Sequence, residues 1–327
     1  MSGNPSQLKV NLPMPVVLIT GGTGTIGKAL SSALLKKNYE VIILTRDPVV
    51  RQAIPGLSYS FWDPNKQKID PDAFSKADHI IHLAGAGVAD KRWSPKRKAE
   101  IHDSRVKGGE LLVRSLKELP HKISSLVSSS AIGWYGADPS IPNPHPFIET
   151  DPYSPGFLGE TCRDWEGSIS SAADLTRIAI IRIGIVLSNE GGALKEFKKP
   201  LRFKIAAVLG NGKQIISWIH VDDLVRLFIQ AMEDPQWKGI YNGVAPMPVS
   251  NRQLTLSLAK AKGGFYIPAP VPAFVLKIVM GEMSVEVLKS ATVSSLKTED
   301  QGFQFRFRTI DDAMEDLMKH DHHAIHS

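Results

Sequence analysis

The chain alternates short apolar runs with segments whose apolar positions recur every three or four residues. Val16-Val17-Leu18-Ile19 is wholly apolar, as a parallel strand buried on both faces requires. Beyond a glycine-rich stretch, Ile26, Leu30, Ala33 and Leu34 mark one face of a helix that closes at Lys36-Lys37-Asn38. Val41-Ile42-Ile43-Leu44 is a second buried strand. Leu57 to Phe61 is a weaker third, with a turn expected at Trp62-Asp63-Pro64-Asn65. His79 to Leu83 is a fourth, leaving through Ala84-Gly85-Ala86-Gly87. Leu126-Val127-Ser128-Ser129-Ser130 is a fifth, and Arg177 to Leu187 a sixth, interrupted by Arg182 and Gly184. Helical patterns fill Trp93 to Leu119, with Ile101, Val106, Leu111, Leu112 and Leu116 as a stripe, and Phe157 to Ser171. Such alternation predicts an α/β protein with a doubly wound parallel sheet.

The pattern changes at Ser188. Gly191-Gly192, the basic run Lys195 to Lys204, and Gly210-Asn211-Gly212-Lys213-Gln214 read as loops and a short helix outside the sheet. Ser217 to Leu224 opens a further helix, with Asp222 or Asp223 as acids at its positive end. Ile240 to Gly243 reads as an added strand. The organisation expected is a flexible tail over 1–14, a Rossmann dinucleotide domain over 15–187 and 216–245, a smaller, mainly helical substrate lobe over 188–215 and 246–318, and a flexible His-rich tail over 319–327. A proline-rich segment from Pro139 to Pro155 reads as an ordered excursion rimming the site.

Composition narrows the partners. The chain has 327 residues, 43% hydrophobic and 22% charged, as a globular domain with a large core has. Lys+Arg exceed Asp+Glu by 39 to 33, a net charge of +6 that suits anionic ligands but forms no basic block, which argues against nucleic acid. One cysteine, Cys162, excludes an internal disulfide and fits a reducing, cytoplasmic setting. No apolar run reaches the ~18 residues of a membrane span, and the first residues carry no signal-peptide pattern. No metal site is expected, since the His-rich end lacks a structural frame.

The chemistry starts at Thr20-Gly21-Gly22-Thr23-Gly24-Thr25-Ile26-Gly27. A strand, a glycine turn and a helix start put free N–H groups and the positive helix end at one spot, which suits a dinucleotide phosphate. About 20 residues on, an NAD site places an acid on the ribose 2′-hydroxyl. Here the second strand ends in Thr45-Arg46, and a guanidinium pairs with a 2′-phosphate that an acid would repel. Asp47 sits next door and could turn in instead, but the reading favours NADP(H). Arg92, Lys96 and Arg97 read as solvated charge, and His82 as a packed strand residue. Arg182 interrupts an apolar strand, so it needs an anionic partner, either a substrate group or a buried acid.

These motifs, with Ser104-Arg105-Val106, Ser128-Ser129-Ser130, Trp134-Tyr135-Gly136, Cys162-Arg163-Asp164-Trp165-Glu166, Ser217 to Leu224 and Gly281-Glu282-Met283, resemble the extended short-chain dehydrogenase/reductases. Within them the chain is similar to the epimerase family, or nucleoside-diphosphate-sugar epimerase-like, branch, sometimes labelled cell-division inhibitor. The resemblance implies NADP(H) bound by Gly21, Thr23, Gly24, Thr25, Ile26, Thr45, Arg46, Leu83, Ala84, Gly85 and Ser128, a small-molecule substrate, and a monomer or homodimer. The wider superfamily transfers protons with a Tyr-x-x-x-Lys pair beside a serine. None of the six tyrosines has a lysine four residues on; Tyr135 meets Pro139 and Tyr153 meets Phe157. The replacements considered are Ser130, Tyr135, Glu160 and Cys162 as catalytic groups, with Arg182, Lys213 and Trp218 on the substrate.

Overall fold

The computed structural model describes residues 14–49 and 54–323. Seven segments before residue 190 enter the main sheet: β1 (Val16–Thr20), β2 (Glu40–Thr45), β3 (Leu57–Asp63), β4 (Lys68–Ile69), β5 (His79–His82), β6 (Ser125–Ala131) and β7 (Arg177–Ile183). The later strand Gly239–Gly243 joins β7, and the order runs from it through β7, β6, β5, β1, β2 and β3 to β4. All neighbours are parallel except β4, which is antiparallel to β3. The chain winds outward from β1 to β3, then returns to build the other half from β5. The β1–β5 junction is therefore the switch point, where such sheets open a ligand crevice at their carboxyl ends.

Alternate residues of each strand feed opposite faces. Val17 and Ile19 join Leu30 and Leu34 of α1 (Thr25–Lys36) and residues of the later helix at Val221–Glu233. Leu18 and Ile42 join Phe74 of α2 (Pro71–Lys76), Leu111 and Leu112 of α3 (Pro95–Glu118), and Ile169 of α4 (Phe157–Ser170). A third core belongs to the C-terminal lobe, where α5 (Ala193–Leu201) and α7 (Asn251–Lys262) alternate with short strands, while α6 (Val221–Glu233) between them packs in the first core.

Several expectations are corrected. Trp62 and Asp63 lie inside β3 and pair with Ile69 and Lys68, so the turn falls later. The sixth run splits: Ile185–Leu187 leaves the sheet to pair with Trp218–His220, and any side chain at Gly184 would meet the Ser217 carbonyl at 2.6 Å. Asp222 and Asp223 do stand in the first turn of their helix, and Asp223 is fully buried there: it accepts from the Arg306 and Phe307 N–H groups and pairs with Arg226 at 2.7 Å. The lobe is mainly helical, as expected, and also carries a parallel strand pair, Ile205–Leu209 with Ile267–Val271. The last helix, Ile310–His323, runs past the expected limit at 318. Residues 1–13 of the expected N-terminal tail and 324–327 of the C-terminal one lie outside the described residues.

The proline-rich segment is an ordered excursion that clamps onto the C-terminal lobe. Asp138 accepts from the Thr292 N–H and from the Ser290 and Thr292 hydroxyls, while Phe147 exchanges backbone hydrogen bonds with Thr292 and Ser294. It ties the sheet domain to the C-terminal lobe.

Candidate active site

The glycine turn is welded to the exit of β5. Thr20 Oγ1 accepts the Leu83 and Ala84 N–H groups, each at 3.2 Å, and lies 2.7 Å from His82 Nδ1. Gly21 has φ +70°, and a Cβ there would stand 2.8 Å from the Leu83 carbonyl carbon. A Cβ at Gly27 would stand 2.4 Å from the Gly21 carbonyl oxygen. Gly24, by contrast, is exposed and caps α1 with no side chain over the helix start. The first turn of α1 holds no acid, so its positive end stays available to a phosphate. Thr23 is exposed, Thr25 and Ile26 are half-buried, and Leu83, Ala84 and Gly85 line the facing wall. These residues fit a dinucleotide pyrophosphate. Ser128 does not join them: it is fully buried and its hydroxyl donates to the Ser129 carbonyl.

At the end of β2 the acid turns away. The Asp47 carboxylate accepts the Val49 N–H in its own loop, and the half-buried Thr45 accepts the Asp47 N–H. Arg46 is exposed and makes no ion pair among the described residues.

The proposed catalytic set is engaged elsewhere. Parallel register puts Ser130, Arg182 and Asn242 side by side across β6, β7 and the strand Gly239–Gly243. Glu166 of α4 reaches this row. It takes the Ser130 hydroxyl at 2.6 Å and grips Arg182 through Nε and Nη2, both at 2.9 Å. Arg182 Nη1 donates to the Tyr135 hydroxyl and the Glu149 carbonyl, each at 3.1 Å, and the guanidinium lies 3.7 Å from the centre of the Trp134 ring. Tyr135 donates onward to Asn242 Oδ1 at 2.7 Å. Burial opposes the Arg182 charge, but its bonds to Glu166 outweigh it and hold the group above the usual arginine range.

The network takes up Ser130, Tyr135 and Arg182, and the other candidates stand outside it. Arg182 is 1% exposed with its fork taken up by protein, so it is the buried ion pair and not a substrate ligand. Burial pushes Tyr135 to about 12 despite the Arg182 charge beside it. Burial, with the Glu166 charge, pushes the Cys162 thiol to about 11, and its Sγ faces the Ala131 carbonyl. Neither group is poised to move a proton at neutral pH. Glu160 is exposed and accepts the Gly156 N–H at its own helix start. Ser130 is buried with its hydroxyl donating to Glu166. Trp218 is fully buried and donates to the Met247 carbonyl, so it stacks on no ligand. Lys213 is exposed on a turn whose neighbour Gly212 packs on Arg252.

Three polar residues are buried although the sequence reading put Glu166 in a surface ion pair and Arg97 in solvent and gave Asn242 no role. Glu166 shares a helical face with Cys162 and Ile169, a spacing that could have placed it inward. Asn242 needed the strand register. Arg97, expected in solvent, is 7% exposed and bonds Glu100 and the Gly87 carbonyl.

His82 is packed in its strand, as expected. Burial, then the Arg105 charge, holds it down to about 4. A folded value below the unfolded 6.5 means the unfolded chain binds the proton first. Stability is then complete above 6.5 and lost as pH falls from 6.5 towards 4, by about 3 kcal/mol. His82→Gln is expected to flatten that part of a pH series of urea unfolding curves.

The sheet order, switch point and glycine turn define a dinucleotide-binding α/β protein. The family described as NAD dependent epimerase/dehydratase matches residues 17–158, and a domain of unknown function (DUF1731) matches residues 271–317. The chain is 34% identical to epimerase family protein SSP1921 of Staphylococcus saprophyticus over 92% of this chain and 98% of that one. It is 33% identical to the chloroplastic epimerase family protein SDR39U1 homolog of Arabidopsis thaliana, over 93% and 86%. Human epimerase family protein SDR39U1, solved with NADPH, superposes with a TM-score of 0.83 at 26% identity, covering 93% and 99%. The chain belongs to the epimerase family, as an atypical extended short-chain dehydrogenase/reductase.

Proposed function

We propose that this protein binds NADP(H) across the β1–β5 crevice and is an epimerase- or reductase-like enzyme of a small carbonyl, alcohol or sugar-nucleotide substrate. The observation that carries the cofactor reading is Arg46, exposed and unpaired among the described residues at the end of β2, with Asp47 folded onto its own loop. The NADPH held by the human relative supports it. In this reading the nicotinamide would carry the hydride. Ser130, Glu166 and Arg182 would hold the end of β6 in shape beside it, a positioning role.

The test is a pair of titrations. NADPH is expected to bind about 10- to 100-fold tighter than NADH, as one charge-assisted phosphate contact allows. Arg46→Asp is expected to reverse the order. Equal affinity in the native protein would defeat the reading.

One set of observations favours a second reading, a catalytically silent NADP(H) sensor. Tyr135, Cys162 and Ser130 are buried and bonded, and Glu160 stands apart. A panel of carbonyl compounds that never consumes NADPH would select it. Among the described residues no helix is long and apolar enough to cross a membrane.

A further inference from the structure

Half-buried Arg105 stands out among the guanidinium groups that turn inward. Arg182 meets Glu166, Arg97 meets Glu100, and Arg177 uses both its Nη atoms on three carbonyls near the end of α6. Arg105 has no carboxylate against it among the described residues. Its Nη1 donates to the Ile101 and Ala86 carbonyls, at 2.8 and 3.0 Å, which fixes the side chain. Its Nε and Nη2 bond nothing among the described residues. A half-buried guanidinium fixed along one side keeps its other donors free for a ligand that brings oxygen atoms.

The location says which ligand. Arg105 projects from α3 onto the exit of β5; a Cβ on Gly85 would stand 3.0 Å from its Cζ. Its guanidinium lies 5.0 Å from the centre of the Trp165 ring on α4, and its charge acts on both His82 and Cys162. It therefore sits on the β5–β6 side of the switch point. The proposed site puts the 2′-phosphate at Arg46, beyond β2, and the pyrophosphate at the start of α1. A dinucleotide anchored at those two points would lay its other half over β5 and β6.

We propose that the Nε–Nη2 edge of Arg105 donates to ribose and phosphate oxygens of the nicotinamide half of the cofactor. The assignment rests on the NADP(H) reading above. It makes Arg105 a cofactor ligand on the opposite side of the crevice from Arg46, so the two cations grip the two ends of one molecule. Gly85 is small because the guanidinium lies where its side chain would be.

The test compares NADPH with adenosine 2′,5′-bisphosphate, which keeps the adenylate end and lacks the nicotinamide half. Dissociation constants would be measured by calorimetry for the native protein, Arg105→Ala and Arg105→Lys, with melting curves taken without ligand. Arg105→Ala is expected to weaken NADPH about 10- to 100-fold and leave the bisphosphate unchanged. Arg105→Lys is expected to recover part of the loss, since it returns the charge without the fork. Equal losses for both ligands in both variants would overturn the assignment, because Arg105 would then support the fold or the whole crevice. Tight native NADPH binding that neither variant changes would overturn it alone. A native protein that binds neither ligand would overturn the NADP(H) reading along with it.

Discussion

Glu166→Ala is expected to destabilise this protein by about 3–5 kcal/mol, the range found when one partner of a buried ion pair is removed. Arg182 would be left 1% exposed with no carboxylate, and Ser130 would lose the acceptor of its hydroxyl. Domains are stable by only about 5–15 kcal/mol, so the single variant would unfold at far lower urea. The damage comes from the orphaned charge rather than from the lost bond. Replacing both partners, Glu166→Leu with Arg182→Met, is therefore expected to cost less than Glu166→Ala alone. A urea-unfolding double-mutant cycle checks both statements. Additive losses would mean that the pair does not act as a unit.

Gly21→Ala is expected to damage binding and stability together. The residue has φ +70°, which costs an L-residue about 1–2 kcal/mol, and the new methyl group would meet Leu83 and Ala84 backbone atoms at 2.8–2.9 Å. Those atoms form the facing wall of the crevice, so relief of the clash moves the wall. Gly24→Ala should separate the two effects. Its φ is −78°, and the nearest atom to its new Cβ, the Gly21 carbonyl oxygen, is 3.4 Å away. The methyl would then occupy only the approach of the pyrophosphate. Melting temperature should fall for Gly21→Ala and hold for Gly24→Ala, while NADPH affinity falls about tenfold or more in both. Unchanged NADPH affinity in Gly24→Ala would place the phosphates elsewhere.

The sheet was legible in the sequence because buried parallel strands write themselves as unbroken apolar runs. Val16 to Ile19, Val41 to Leu44 and Leu126 to Val127 all fall inside observed strands. The glycine turn was legible because its constraint is local: a positive φ and a close backbone approach leave no other residue. The polar chemistry was not, since its partners meet only through register. Nothing local reveals that Arg182 stands beside Ser130 and Asn242, or that Glu166 bonds the first two. Ser130 and Tyr135 looked reactive because hydroxyls at a strand end usually face ligand. Here a buried ion pair claims them first. Trp218 misled in the same way, its ring being large enough for a ligand and equally for the core of the C-terminal lobe. Arg105 was visible in the sequence, but its free edge is a property of the folded crevice.

The most direct test of this account is electron density from crystals grown with NADPH. The account predicts the 2′-phosphate at Arg46, the pyrophosphate at the start of α1 over Gly24, and the nicotinamide half beside Arg105 over β5 and β6. Density for the cofactor that leaves Arg46 and the start of α1 uncontacted would contradict it, as would crystals that take up NADH in preference to NADPH.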